Sequence, residues 1–396
     1  MTSSLRLLVV TARYWPHSAD MERQLANWVE TARRQGAELR VLTASWSPDW
    51  PSCVWHREVQ VNRLSPAPLG GWSALRYLRS LYRWLRRHRQ EWDAVHVANL
   101  RYEAFVVLGA MGREPIAVSL QLEAGDLSWH ETARWGRRIQ RRCQEADVII
   151  ASSRRQADAL HGVGFARHRI HQLGPGVRTS LPSPPESRQV DMRHALREAL
   201  GAINSDLDVH SQVPIAIWVG RLDASAQLET LLPVWERIQR RKPNARLWII
   251  GDGPGRAALY EAILHRGQHH DVFLPGSFDE LHELFLAANV YLAWQQDLDL
   301  ARAPLEALAA GLPIIGPETP VNRAMMQACG GVHLIPDTAD AWVTAVCQLW
   351  DDPAQAEARS VAARRWAAAH LSLDQAVTDH LHLLSLLAAN KRRKTS

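Results

Sequence analysis

Short runs of apolar, mostly β-branched or leucine residues alternate with longer stretches of helical period along most of this chain. Residues 5–11 (LRLLVVT) read as a buried strand. Residues 21–34 read as a helix, with Leu25, Trp28, Val29 and Ala32 near helical spacing. Residues 39–43 and 59–64 predict strands, 72–89 a helix, and 94–98, 116–120 and 148–151 further strands. Near-continuous apolar strands separated by helices predict a parallel sheet covered on both faces.

Residues 180–191 (SLPSPPESRQVD) break the pattern; Pro and Ser without apolar residues read as a linker. A short helix over 192–200 follows, with Gly201 in the place of a C-cap, and 203–214 is polar again. A second α/β series then starts. Strands are predicted at 215–219, 246–250, 272–274, 290–293, 314–316 and 332–335, and helices at 228–241 and 255–265. The division is therefore a first domain over 1–178, a linker with its leading helix over 179–212, a second domain over 213–372, and a C-terminal helix with a basic tail over 373–396. The architecture expected is α/β: two doubly wound Rossmann-like domains facing a cleft. Ligands of such sheets sit at the carboxyl ends of the strands, where helix N-termini point at them.

Composition narrows the class. A chain of 396 residues, 46% hydrophobic and 22% charged, is long enough for two cores and excludes wholesale disorder. No window of 18 apolar residues predicts a membrane span, and the first residues lack the features of a signal peptide. The four cysteines, Cys53, Cys143, Cys329 and Cys347, are scattered without a metal or disulfide spacing. A cytoplasmic location is the expectation. The net charge of +5 hides an asymmetry: residues 1–190 hold 27 Arg and no Lys against 17 acids, whereas the remainder is net acidic. Opposite signs suggest different partners for the two domains. No nucleic-acid-binding motif accompanies the basic half. The 17 Trp are dispersed and read as core filling.

Several segments, in order, resemble the family-4 (group 1) retaining glycosyltransferases of the GT-B fold. They are ADVIIAS (146–152), IHQLGPGV (170–177), RHALREALG (193–201), WVGRL (218–222), ARLWIIGDGPGR (245–256) and LEALAAGLPII (305–315). The resemblance runs from about residue 5 to 384 and is densest in the second domain. It implies transfer of a sugar from a nucleotide-diphosphate sugar to a glycan or lipid-linked acceptor with retention, the donor in the second domain and the acceptor in the first. It implies no metal, because cations and helix N-termini offset the diphosphate charge.

Residue by residue, the resemblance puts Arg221, after Gly220, at the diphosphate; a guanidinium suits phosphate geometry. Glu306 stands where the family binds ribose. Two of the family's groups are replaced: its lysine by Ala226, followed by Gln227 instead of Gly, and its first carboxylate by Leu298. Asp297 or Asp299 is the available substitute for the latter. Gly251, Asp252 and Gly253 read either as a tight turn or as part of the nucleotide pocket. Asn322 and Arg323 resemble polar residues that face the donor. In the first domain the family's Gly-Gly pair is replaced by 18–22 (SADME), where Asp20 suits an N-cap. Its histidine is replaced by Gln121. The nearby Glu123, Asp126 and His130 are polar enough to line an acceptor cleft, and Asp126 reads either as an acceptor-side base or as a loop aspartate. These losses define a degenerate donor site and an alternative reading: a decayed GT-B protein acting as a sugar-nucleotide-binding or scaffold protein.

Residues 72–90 form a basic amphipathic helix, with Leu75, Leu78, Tyr82 and Leu85 assigned to one face and Arg76, Arg79, Arg83 and Arg86 among the others. Such a helix packs its apolar face on the sheet with its arginines solvated, or lies peripherally on the anionic inner face of a membrane; the first reading is favoured. A second basic run spans 134–142. The final KRRK (391–394) reads as a disordered end.

Overall fold

The computed structural model describes residues 4–17, 20–112, 114–123, 125–174, 176–179, 189–210, 212–278, 280–296, 298, 302–326 and 329–395. For residues 20, 189–191, 325 and 395 it describes the backbone alone. The chain divides into two compact units, Met1–Gly176 with Leu373–Ser396, and Val177–Ser372. In order, the elements of the first are β1 (Arg6–Val10), α1 (Asp20–Arg34), β2 (Glu38–Ala44), β3 (Cys53–His56), β4 (Val59–Leu64), α2 (Gly71–Arg87), β5 (Ala94–Val97), α3 (Tyr102–Met111), β6 (Ala117–Gln121), α4 (Asp126–Thr132), α5 (Gly136–Cys143), β7 (Val148–Ala151), α6 (Arg154–Gly162) and β8 (Ile170–Gln172). The second holds α7 (Gln189–Ile203), β9 (Ile215–Val219), α8 (Leu231–Arg241), β10 (Arg246–Ile250), α9 (Arg256–His265), β11 (Val272–Gly276), α10 (His282–Ala287), β12 (Val290–Leu292), α11 (Arg302–Ala310), β13 (Ile314–Pro317), α12 (Pro320–Met326), β14 (Val332–Ile335), α13 (Ala339–Asp351) and α14 (Pro353–His370). The last helix, α15 (Leu373–Thr395), belongs to the first unit.

The first sheet is ordered β3-β4-β2-β1-β5-β6-β7-β8 and is parallel except for β3 at its edge. Successive residues of β1 point to opposite faces. Leu8 and Val10 join Tyr77, Leu81 and Leu85 of α2 and the buried side of α3. Leu7 and Val9 join Leu25 and Val29 of α1 and Leu384 and Ala388 of α15. The second sheet, β11-β10-β9-β12-β13-β14, is parallel throughout. Ile215, Ile217 and Val219 pack under α10 and α11, whereas Ala216 and Trp218 pack under α8 and α13. Strand order reverses between β1 and β5 in one unit and between β9 and β12 in the other. The carboxyl ends at such a reversal are where an open α/β sheet offers a ligand its backbone. Trp218, Trp235, Trp248 and Trp342 are all fully buried in the core-filling role their dispersion suggested, whereas Trp15, Trp55, Trp72 and Trp135 lie exposed.

Four local expectations change. Gly201 does not end a helix: α7 continues to Ile203, and a Cβ at Gly201 would meet the Asp208 Cα at 3.0 Å. Close approach, not a cap, requires the glycine. The face of α2 that packs is Tyr77, Leu81 and Leu85, so Leu75 and Tyr82 lie exposed. Strand β3 was not foreseen, because its edge position leaves CVWH without a clear apolar alternation. The basic tail is ordered. Lys391 Nζ reaches Asp147 Oδ2 at 2.7 Å and the Ile116 carbonyl at 2.9 Å, and Arg392 pairs with Asp93, which also holds Arg6. Those carboxylates convert KRRK from a solvated run into the last turns of α15.

Because α15 covers one face of the first sheet, Leu384→Ala should lower stability by about 2–5 kcal/mol in urea unfolding. The exposed Leu386→Ala should change it by no more than about 0.5 kcal/mol.

Candidate functional site

In the second unit the loop after β9 rests directly on the loop after β10. Gly251 has φ of +142°, and a Cβ there would stand 1.9 Å from the Gly220 carbonyl oxygen. A Cβ on Gly253 would stand 2.3 Å from the Leu222 carbonyl oxygen. The two loops are stitched by Leu222 N–H to the Asp252 carbonyl (3.0 Å) and Gly255 N–H to the Leu222 carbonyl (2.8 Å). Only glycine permits this approach, so the G-D-G run is required by the fold whatever else it does. Asp252 is exposed, and its carboxylate accepts from the Gly253 N–H at 2.8 Å.

Arg221 projects from that stitched platform. Its side chain is 75% exposed, and Nε meets Asp223 Oδ2 at 3.3 Å. Asp223 in turn accepts from Ser225 N–H at 3.0 Å and from its hydroxyl. The Ser225 hydroxyl contact is the largest cause holding the Asp223 carboxyl below its ordinary range. The cation is thus anchored at one nitrogen and open at its fork.

The two positions at which the resemblance expects charged groups are both buried. Ala226 belongs to the hydrophobic cluster with Trp218, Leu222 and Leu228. Gln227 holds φ of +46°, a conformation that suits the glycine of related sequences. Its carbonyl accepts from Thr230 and from the Trp294 indole (3.3 Å). Leu298 is fully buried in the other cluster of this unit. Asp297 and Asp299 lie outside the described residues.

Glu306 sits in the second turn of α11, not at its start. Oε1 accepts from Arg302 Nε at 3.2 Å, and both side chains are mostly buried, at 19% and 12% exposure. Arg302 was missed by the sequence reading, although its i, i+4 spacing to Glu306 was visible. Asn322, expected to face the donor, is instead wholly buried. Its Oδ1 accepts from Leu298 N–H (2.8 Å), and its amide nitrogen donates to the Pro317 carbonyl (2.9 Å). It braces the loop after β12 from within, because a short polar side chain there satisfies backbone groups that no strand reaches. Arg323 is outward and pairs with Glu318 at 2.9 Å. Gln296 was also missed: it donates to the Val219 carbonyl (3.0 Å) and accepts from the Tyr291 hydroxyl (3.0 Å), tying the ends of β9 and β12 together.

The first unit sorts its four candidates into two pairs. Gln121, at the end of β6, donates to the Ser152 hydroxyl at 3.3 Å. Glu123 follows it, and burial, aided by Asp126, pushes its carboxyl up to about 8. Asp126 and His130 do not line a cleft. Asp126 is fully buried and accepts from Leu100 N–H (2.9 Å), Glu123 N–H (3.1 Å) and Arg101 Nε (2.7 Å). His130 is buried, with Nε2 bonded to the Leu100 carbonyl at 2.6 Å, so Nε2 carries the proton. Burial lowers its pKa and keeps it neutral. Together they brace the loops after β5 and β6; an acceptor-side base would need an accessible oxygen, which Asp126 lacks. Of the 18–22 run, Ser18, Ala19 and the Asp20 side chain lie outside the described residues. Among the described residues no group of His, Cys, Asp or Glu is placed to hold a metal ion, and no helix is long and apolar enough to cross a membrane.

Two parallel, doubly wound sheets with strand order reversed at the centre of each define the GT-B class of glycosyltransferase folds, and solved structures agree. Sucrose-phosphate synthase from Thermosynechococcus elongatus superposes with a TM-score of 0.74 at 16% identity over 98% of this chain and all of that one. Anabaena HepE in complex with UDP-glucose gives 0.73 at 14% identity over 96% and 99%. The profile of Glycosyltransferase Family 4 matches residues 21–181, and that of Glycosyl transferases group 1 matches residues 203–366. The chain belongs to this family of group 1, family 4 glycosyltransferases.

Among curated relatives, D-inositol 3-phosphate glycosyltransferase of Xylanimonas cellulosilytica is 27% identical over 63% of this chain and 58% of its own length. The first three relatives are each matched over no more than 61% of their length. GDP-mannose-dependent alpha-mannosyltransferase of Mycobacterium tuberculosis is 25% identical over 91% of this chain and 93% of its own.

A carboxyl raised in the folded state is protonated there while the unfolded chain has already lost its proton. Stability linked to Glu123 is therefore complete below its unfolded pKa and falls as pH rises through about 8. Glu123→Gln should remove that decline, so urea midpoints of variant and wild type should diverge from pH 6 to pH 9 in the variant's favour.

Proposed function

We propose that this protein transfers a glycosyl group from a nucleoside-diphosphate sugar to a glycan or lipid-linked acceptor hydroxyl, with retention at the anomeric carbon. The bond from C1 to the diphosphate oxygen breaks with its electron pair leaving on the nucleoside diphosphate. The acceptor oxygen bonds to C1 on the same face, and its proton leaves with the diphosphate or to solvent. The observation that carries this reading is Arg221, held at one nitrogen by Asp223 on a rigid pair of loops at the carboxyl ends of β9 and β10. An open guanidinium fork there meets the charge that develops on the departing diphosphate. Glu306, steadied by Arg302, is the carboxylate for ribose hydroxyls. With this cation in place the reaction needs no metal.

Family membership supports the transferase class. The relative named D-inositol 3-phosphate glycosyltransferase supports a polar acceptor, and the one named GDP-mannose-dependent alpha-mannosyltransferase supports a nucleoside-diphosphate-sugar donor. The alternative, binding without turnover, rests on the buried Ala226 and Leu298 and has no counterpart among the relatives.

The exposed side of α2 carries the proposed membrane contact. Trp72, Leu75, Arg76, Arg79, Tyr82 and Arg83 follow helical spacing and are all exposed. Arg86, expected among them, is instead paired with Glu114 at 2.7 Å and drops out. Aromatic and basic residues sharing one solvent-facing stripe suit an anionic lipid surface.

Isothermal titration with UDP- and GDP-sugars should show binding that Arg221→Ala weakens about tenfold or more. Product analysis should show transfer with retained configuration, unaffected by EDTA. Binding without transfer to any acceptor would favour the alternative, and no binding at millimolar donor would end both. In flotation assays the protein should associate with phosphatidylglycerol vesicles and not with phosphatidylcholine ones, and Arg76→Glu/Arg79→Glu/Arg83→Glu should release it.

A further inference from the structure

A cavity of about 360 Å³ opens in the second unit among α7, α10, the turn from α11 to β13, and α14. It lies at the amino ends of the strands: Asn289 immediately precedes β12 and Pro313 immediately precedes β13, and both line it. Arg221 and Gln296 stand at the carboxyl ends of the same sheet, so this space is separate from the candidate donor residues. Its volume falls in the range of small-molecule sites.

The wall is apolar on one side, with Phe285, Leu312, Trp350 and Ala356, and cationic on the other. Arg193 is half-buried, and among the described residues its guanidinium makes one hydrogen bond, a long one from Nε to the Leu286 carbonyl (3.4 Å). Among the described residues, neither of its Nη groups has a protein acceptor. Glu357 also lines the cavity and acts electrostatically on Arg193, but its close contact is with Arg364 (3.2 Å). Arg364 also meets the Ser360 hydroxyl at 3.2 Å and lines the same cavity. The N-terminal turn of the 18-residue α14 supplies Pro353 and Ala356 to the wall, adding the positive end of a helix dipole. One turn along α7, Arg197 is buried among the carbonyls of Ala287, His210 and Val213, so the surroundings gain further positive charge.

The open Nη groups of Arg193, with the Arg364–Glu357 pair and a helix N-terminus beside an apolar wall, ask for one kind of ligand. We propose that this cavity binds a small oxyanion bearing an apolar group, such as an aryl phosphate or carboxylate, with Arg193 gripping the anion and Phe285 and Leu312 covering the apolar part. The site is additional to the donor site and does not rest on the transferase reading. Helix α11 joins the two regions, with Arg302 and Glu306 toward one end and Ala310 in the cavity wall at the other.

The test is calorimetric titration of the full chain with phenyl phosphate and with benzoate. Saturable binding of either probe is expected, at least about tenfold tighter than inorganic phosphate or phenol. Arg193→Gln should weaken it about tenfold or more. Ala356→Phe, which fills the cavity without removing a charge, should abolish it while thermal unfolding shows the chain still folded. UDP and Arg221→Ala should leave it unchanged. Competition by UDP, unchanged affinity in both cavity variants, or no saturable binding at about 10 mM probe would overturn the proposal.

Discussion

A side chain at residue 251 would collide with the carbonyl oxygen of residue 220, and the geometry of the candidate donor site follows from that contact. Two strands that run parallel and adjacent end in loops that must diverge unless something holds them. Here glycine at 251 and 253 lets backbone meet backbone, and amide-to-carbonyl bonds lock the pair. A flexible loop would let the Arg221 guanidinium swing through solvent, and its electrostatic effect would be averaged and screened. Fixed at its base and tethered at Nε, it keeps its remaining donors at the carboxyl end of the sheet.

Two positions that the sequence resemblance marked as departures share one physical property. Ala226 and Leu298, at the two positions where the sequence resemblance expects a cation and a carboxylate, are both buried in the core. A charged group could not take either position without burying an unmatched charge, which is costly. The replacements are therefore not polar groups waiting to be recruited. In the loop after β12, Asn322 and Gln296 hold the backbone from inside, and Arg302 sets a cation beside Glu306. The first unit uses the same device, with the buried Asp126 collecting two backbone N–H groups and one guanidinium so that the loops after β5 and β6 keep their shape.

Much of the fold was legible because a parallel sheet buried on both faces leaves an unambiguous trace. Strands β4, β7, β9, β10 and β14 begin and end where the apolar runs do. Edge strand β3 left no such trace, because half of an edge strand faces solvent. Charge misled in two places. Lys391 and Arg392 looked solvated only because Asp147 and Asp93, some 240 and 300 residues away in sequence, were invisible as partners. On α2 both the packed and the outward side carry apolar residues, so spacing alone could not say which side meets the sheet.

What the chain determined by itself was most of the series of elements and the motifs that carry the family resemblance, since each depends on neighbours in sequence or on a local backbone conformation. What tertiary structure decided was orientation. Asp126, His130 and Asn322 were polar and well placed in the sequence, yet they turn inward. An unsatisfied backbone amide or carbonyl in the interior costs more than the loss of a solvent-exposed side chain. That balance depends on which loops meet, and only the folded chain brings them together.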